Sequence, residues 1–223
     1  MKRIIVSVGL VVFAAGVARA SLIVNGGFES PPGAVGEPAP TDWNFFSSGP
    51  NTSGVVPSGF AQEGLQLLQF FGSPLDAGSF QGYAQDKNIG LNAGQKVNFY
   101  SFVRSSPFLQ YTNAMTLELK IEFFNNNVFL NSAQLDVTKD DITTGAWTQF
   151  LVSGAPVSSA DMVRFVIAQN VGFTPNESGI IWVDNVAAYV VPEPSLLGLL
   201  VFGGLVARFA HRHRQKRRPH VPS

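Results

Sequence analysis

The region between Ser21 and Val191 alternates short apolar runs with Gly, Pro, Asn and Asp, and this pattern predicts β-strands joined by turns. In "TLELKIEFF", apolar side chains occupy every second position, as in a strand with one buried face. No stretch keeps a long 3.6-residue period, so helix should be sparse. The expected strands are Ser21–Val24, Trp43–Phe46, Leu65–Phe71, Phe80–Gln85, Lys96–Arg104, Met115–Asn125, Val128–Val137, Trp147–Ser153, Met162–Gln169 and Gly179–Val190.

Turn signals separate these runs. The segment "IEFFNNNVFLNS" predicts a hairpin, because asparagine tolerates the positive φ angles of a tight turn. "SPPGAVGEPAP" (residues 30–40) and most of "SSGPNTSGVVPSG" are expected to be loops. Some ten short strands with little helix predict an all-β fold, an antiparallel β-sandwich of the jelly-roll type.

The N-terminus, "MKRIIVSVGLVVFAAGVARASL", has a basic start, an apolar run and small residues at Ala18 and Ala20. This is the arrangement of a signal peptide with an A-x-A cleavage site. Residues 1–20 are therefore expected to be removed by signal peptidase, leaving Ser21 as the first residue of the domain at 21–191. The alternatives are a buried first strand and an N-terminal anchor.

The C-terminus, residues 192–223, begins with Pro192-Glu193-Pro194, which cannot be helical throughout. Uncharged residues follow, and then a basic tail. A helix over about 195–210, with Arg208 reaching the interface, approaches the length of a minimal transmembrane span. The basic tail is expected on the cytoplasmic side. The alternative is a buried helix with a solvated tail.

"VPEPSLLGLLVFGGLVARFAHRHRQKRR" resembles the PEP-CTERM sorting signal of Gram-negative bacteria, with its Pro-Glu-Pro triplet, apolar segment and arginine-rich end. The resemblance implies that a membrane protease, exosortase, recognises Pro192, Glu193 and Pro194. It also implies an inner-membrane precursor that ends at the cell surface or outside the cell. Such proteins often belong to bacteria that produce extracellular polysaccharide. The final "PHVPS" is longer than is usual after the arginines.

Charge and residue usage exclude several functions for the central domain. Residues 21–191 carry six basic and fourteen acidic side chains, a net charge near −8, so no nucleic-acid partner is expected. The absence of cysteine excludes thiol catalysis and thiolate metal sites. All three histidines lie in the basic tail, which excludes a Ser-His-Asp triad and a histidine-ligated zinc site from the domain.

The domain also resembles the galactose-binding-like jelly roll found in several carbohydrate-binding modules. "LIVNGGFES" and "GIIWVDNVAAYVV" are similar to its first and last strands, and "AQEGLQLLQF", "LNAGQKVNFYSFV" and "WTQFLVSGAPV" match landmarks between them. In carbohydrate-binding relatives, the acids corresponding to Glu29 and Asp184 often hold a structural Ca²⁺. Asn25, Glu63 and Gly64 are further candidates. Without calcium, Glu29 would cap a turn and Asp184 would bind backbone amides.

Candidate chemistry in the domain favours binding over catalysis. Glu118 and Glu122 alternate with apolar residues and are therefore expected on the exposed face of a strand. Sugar binding would use exposed aromatic side chains, for which Phe108, Tyr111 and Tyr83 are the candidates. We expect a non-enzymatic, exported and surface-sorted β-sandwich that contacts extracellular polysaccharide. A carbohydrate-binding module with a defined sugar groove and a glycan hydrolase or lyase are the alternatives.

Overall fold

The computed structural model describes residues 20–30, 39–49, 52–72, 78–107, 115–171 and 179–192. These ranges contain ten β-strands. The strands are β1 (Asn44–Ser47), β2 (Ser53–Pro57), β3 (Gln66–Gly72), β4 (Phe80–Leu91), β5 (Val97–Ser105), β6 (Met115–Asn125), β7 (Val128–Val137), β8 (Thr148–Gly154), β9 (Ala160–Val171) and β10 (Gly179–Val190).

The strands form two five-stranded sheets. The first sheet has the order β1-β4-β9-β6-β7, and the second has the order β2-β3-β10-β5-β8. Every pair of neighbouring strands is antiparallel. Because strands that are distant in the sequence lie side by side, the chain crosses repeatedly between the sheets. The prediction of an all-β antiparallel sandwich is confirmed.

The core lies between the two sheets, where aliphatic side chains pack with several buried aromatic rings. Phe99 on β5 meets Phe165 on β9 with ring centroids 5.2 Å apart, and Phe70 on β3 meets Tyr83 on β4 at 5.9 Å. All four side chains are fully buried. Burying one such ring stabilises a fold by roughly 1.5–3 kcal/mol, so these contacts help to hold the two sheets together.

The predicted strands correspond closely to the observed ones over most of the described chain. The bounds of β6, β7 and β10 are reproduced, while β4 and β9 are longer than predicted. The asparagine turn is confirmed, because Asn126 and Asn127 have φ angles of 50° and 63° between β6 and β7. A short 3₁₀ turn, Lys139–Asp141, is the one helical element within the described ranges.

Two segments differ from the prediction. Residues 21–24 form no strand: Leu22 bonds to the Ala188 carbonyl, but the Ser21 hydroxyl accepts the Ala188 amide in place of a backbone oxygen. The second segment, β2, was expected to be a loop. It contains only two valines between glycine and proline, and it becomes a strand by pairing with β3 at the sheet edge. Such a partner cannot be read from local sequence.

Within the described residues, no helix has the length and apolarity needed to cross a membrane. The predicted span over 195–210 lies outside those residues, as do Ala18, Glu193 and Pro194. Ala20 and Pro192 stand at the two ends of the described chain. The expectations of signal-peptide cleavage and of C-terminal sorting therefore stay predictions.

Candidate functional site

A groove of about 510 Å³ lies on the outer face of the first sheet, the face turned away from the core. Strand pairing aligns its residues in rows, and two of these rows cross the sheet from β1 to β6. One row runs through Phe46, Gly82, Ala168 and Glu118, and the next runs through Asn44, Ala84, Val166 and Lys120. The groove thus has an aromatic side at β1 and a charged side at β6. Its volume falls in the range of small-ligand sites.

Small side chains form the floor. Ala84, Val166 and Ala168 make an apolar cluster on which Phe46 packs. Gly82 belongs to the same surface: a Cβ atom there would lie 2.6 Å from Phe46 Cζ and 2.7 Å from the Ile167 carbonyl oxygen. Only glycine leaves room for the phenyl ring to lie against β4. The missing side chain therefore positions the aromatic side of the groove.

The aromatic side consists of Phe46 and Phe80. Their ring centroids are 6.2 Å apart and the rings are inclined by 48°. Phe80 is 43% exposed, and Phe46 is half-buried. A partly exposed aromatic pair above an apolar floor is a surface that can stack against the apolar face of a planar or ring-shaped ligand.

The charged side is a ridge of alternating signs on β6. Lys120 Nζ lies 2.6 Å from Glu118 Oε1 and 3.7 Å from Glu122 Oε1. The three side chains follow one another at every second residue, so they share the outward face, as expected for Glu118 and Glu122. Their exposed fractions are only 13% to 22%, because the groove partly encloses them.

An arginine on β9 extends this ridge towards β4. Arg164 donates from Nε to Asp86 Oδ1 at 2.7 Å and from Nη2 to Asp86 Oδ2 at 3.0 Å, a bidentate pair. The hydrogen bonds that Arg164 donates to Asp86 raise the pKa of the Arg164 guanidinium. The guanidinium also lies 5.2 Å from the centroid of the Phe124 ring. Arg164 is therefore held from two sides, and the ridge is a preorganised set of donors and acceptors.

The predicted pair Glu29 and Asp184 meets elsewhere, around the turn at residues 61–66. Glu29 Oε1 accepts the amides of Leu65 and Gln66, each at 2.9 Å. Asp184 Oδ2 accepts the amides of Gln62 and Glu63 at 2.8 and 3.1 Å. The two carboxylates thus fasten one turn to the N-terminal segment and to the last strand.

Asp184 is fully buried on β10. Burial raises the pKa of its carboxyl to about 6, although three backbone amides, from Glu63, Asn185 and Gln62, pull it in the opposite direction. The nearby negative charge of Glu29 also raises this pKa. The carboxylates of Glu29 and Asp184 are therefore close enough to interact, so the structure brings together the two acids predicted from the sequence.

The other predicted calcium residues contribute in different ways. Gly64 has a φ of 70°, and a Cβ atom there would overlap Glu29 Oε1. The Asn25 carbonyl accepts the Phe28 amide and the Trp43 indole N–H. Glu63 is exposed. Calcium takes six to eight oxygen ligands, and the described residues contain no group of three or more acidic or histidine side chains placed to hold a metal ion. The residues fit the ion incompletely, since amides engage Glu29 Oε1, both Asp184 oxygens and the Asn25 carbonyl.

Among the predicted sugar-binding residues, Tyr83 requires a correction. Its side chain is fully buried in the core, and its hydroxyl lies 3.1 Å from Ser53 Oγ. Burial raises the pKa of Tyr83, with the Ser53 hydrogen bond acting in the opposite direction. Tyr83 is therefore a packing residue, because β4 turns it inward while Gly82 and Ala84 face the groove. Phe108 and Tyr111 lie outside the described residues.

Sequence reasoning did not identify Phe46, Phe80, Asp86 or Arg164 as site residues. They lie on three strands, β1, β4 and β9, whose pairing creates the groove. One local signal exists: the outward positions of β4 and β9 carry Gly and Ala where bulky residues would be ordinary. A run of small residues on an outward strand face indicates a depression, but it does not indicate which side chains border it.

Comparison with known proteins identifies similar folds but does not assign the chain to a family. No family model and no curated protein match the chain. Among solved structures, the carbohydrate-binding module TmCBM61, in complex with β-1,4-galactotriose, is similar with a TM-score of 0.53 and 13% identity, covering 78% of this chain and all of that one. A Stig cyclase from Fischerella sp. TAU gives a TM-score of 0.54 at 13% identity, covering 77% of this chain and 97% of that one.

An enzyme of glycan degradation is similar as well. The arabinose-bound α-L-arabinofuranosidase MgGH51 gives a TM-score of 0.52 at 18% identity, and the match covers 77% of this chain and 26% of that one. At such identities the likeness concerns the fold alone. The protein is a two-sheet jelly-roll β-sandwich of the kind seen in carbohydrate-binding modules, and its structural neighbours include enzymes.

Proposed function

We propose that this protein is a non-catalytic carbohydrate-binding domain whose site is the groove on the first sheet. The observation that carries the proposal is the combination within one groove of a partly exposed aromatic pair and a fixed ridge of charged donors and acceptors. Sugars have apolar ring faces that stack on aromatic rings and hydroxyl groups that both donate and accept hydrogen bonds. The groove offers a partner for each.

The test is to measure binding of the purified protein to soluble polysaccharides by affinity electrophoresis or calorimetry. Phe80→Ala should weaken binding by at least about tenfold, which corresponds to about 1.4 kcal/mol. The matched control is Phe60→Ala, because Phe60 is 39% exposed but stacks on Trp182 in the other sheet. Equal losses of affinity in both variants, or no loss in either, would show that the groove is not the binding site.

The alternative of a hydrolase or lyase rests on the two glutamates of the ridge, since glycoside hydrolysis uses paired carboxyls. Here Glu118 and Glu122 are both bound to Lys120. We expect no turnover of any glycan by the purified protein. Release of reducing ends that Glu118→Gln abolishes would establish an enzyme in place of a binding domain.

We further propose that the domain acts outside the cell. The support is the sequence: the A-x-A site at Ala18 and Ala20, and the Pro-Glu-Pro motif before an apolar segment and an arginine-rich end. The protein would then be an exosortase-sorted component of the cell surface or extracellular matrix. Mass spectrometry of both ends of the native protein tests this, with Ser21 expected as the first residue and cleavage expected near Pro192.

A further inference from the structure

We infer that the groove selects an uncharged glycan and discriminates against acidic polymers such as those built from uronic acids. The inference rests on the proposed function and adds the charge class of the ligand. It is drawn from the ionic contacts inside the groove, in which both cations of the described lining are paired with acids.

The charges that line the groove are three acids and two bases. Asp86, Glu118 and Glu122 face Lys120 and Arg164, so the described lining has one excess negative charge. Asp136 of β7 lies beside Glu118 in the register and adds another acid at the margin. An approaching carboxylate would therefore meet a negative surface within a partly enclosed site, where screening by salt is weakest.

Each cation of the lining is already engaged. Lys120 lies between Glu118 and Glu122, at 2.6 and 3.7 Å. Arg164 donates from Nε and Nη2 to Asp86, and its Nη1 lies 4.0 Å from Glu122 Oε2. A uronate carboxylate would compete with these acids for the same bases, and an acid that lost its base in a half-buried position would be costly. Charge pairing within the protein thus disfavours acidic ligands.

A hydroxyl group has no such conflict. Lys120 has three N–H donors and two glutamate neighbours, and each carboxylate oxygen can accept more than one hydrogen bond. A sugar hydroxyl can accept from Lys120 or Arg164 while it donates to a neighbouring carboxylate. The alternation of acid, base and acid on β6 matches this double role, so vicinal hydroxyls of a neutral sugar are suited to the ridge.

The experiment compares two polymers that differ only in charge: polygalacturonate and the same polymer after reduction of its carboxyl groups. We expect the purified protein to bind the reduced, neutral polymer at least about tenfold more tightly at about 0.1 M salt. Phe46→Ala, which removes the aromatic side of the groove, should abolish the binding of the neutral polymer.

A double variant tests the cause of the selectivity. Glu118→Gln with Glu122→Gln removes two negative charges and frees Lys120. We expect its preference for the neutral polymer over polygalacturonate to fall by about tenfold or more relative to the unaltered protein. The single variant Asp136→Asn is the control, because Asp136 lies at the margin of the groove. Its preference for the neutral polymer should change much less than that of the double variant.

The outcomes separate this inference from the proposed function. If polygalacturonate binds as tightly as its reduced form and Phe46→Ala abolishes both, the groove binds glycans but the inference of charge selection is wrong. If the double variant keeps the full preference, ionic pairing on the ridge is not its cause. If Phe46→Ala leaves all binding intact, the proposed site itself is wrong.

Discussion

At the scale of single residues, Gly64 shows how one missing side chain joins distant parts of the chain. Its φ of 70° suits glycine, and its open side admits the Glu29 carboxylate that caps the next two amides. Gly64→Ala should therefore lower the free energy of unfolding for two reasons: alanine is strained at this backbone conformation, and its Cβ would displace Glu29.

Gly94 provides the matched control, because it has a φ of 78° but open space where a Cβ would be. We expect Gly94→Ala to cost about 1 kcal/mol from backbone strain alone. Gly64→Ala should cost at least about 1.5 kcal/mol more, the value of charge-assisted hydrogen bonds. Urea unfolding measures both, and equal losses would show that contact with Glu29 contributes nothing.

Asp184 gives a pH-dependent prediction at the same scale. Burial raises the pKa of its carboxyl to about 6, so between about pH 4 and pH 6 the folded protein holds a proton that the unfolded chain has released. The contribution of Asp184 to stability is therefore largest below pH 4 and is lost as the pH rises through 6. Relative to Asp184→Asn, the unaltered protein should lose about 2 to 3 kcal/mol over this interval.

The measurement is urea unfolding of both proteins at several pH values in the presence of a chelator, so that no divalent cation neutralises the carboxylate. Carbon NMR of the Asp184 carboxyl supplies an independent midpoint, expected near 6. A midpoint near 4, with a stability difference that does not vary with pH, would contradict the raised pKa.

At the scale of elements, the hairpin of β6 and β7 was readable because its signals are local. Two asparagines must adopt positive φ, and the alternation on both sides sets which residues face the core.

We expect Asn127→Gly to leave the free energy of unfolding unchanged or slightly raised. Asn127→Ala should lower it by about 1 kcal/mol, because alanine is strained at φ of 63°. Thermal unfolding of the two variants distinguishes them, and equal stability would refute the role of backbone conformation.

The groove could not be predicted in the same way, because its signals are not local. Alternation indicated that Glu118 and Glu122 face outward, but only the pairing of β6 with β9 sets Glu118 opposite Ala168 and Glu122 opposite Arg164. Phe46 stood in a four-residue strand whose partner, Gly82, lies 36 positions further along the chain. Strand edges and alternation follow from short-range physics, whereas a depression on a sheet depends on which strands become neighbours.

At the scale of the whole molecule, one turn joins the beginning, the middle and the end of the domain. The N-terminal segment reaches residues 61–66 through Glu29, and β10 reaches them through Asp184. Val186 also donates its amide to the Gly26 carbonyl, at 2.9 Å. The sequence predicted this meeting of distant acids from a family resemblance, and the structure shows backbone amides donating to oxygens of both carboxylates.

Calcium at this junction stays a proposal, and the whole molecule supplies its test. If Ca²⁺ binds Glu29 and Asp184, it stabilises the folded protein by mass action, so a chelator should lower the melting temperature and added Ca²⁺ should restore it. Glu29→Gln should abolish this response, because a neutral amide oxygen is a poorer ligand. Glu118→Gln, a change in the groove, should leave it intact. If the chelator has no effect on the unaltered protein, the two carboxylates act only as caps for backbone amides, and the ends of the domain are joined without an ion.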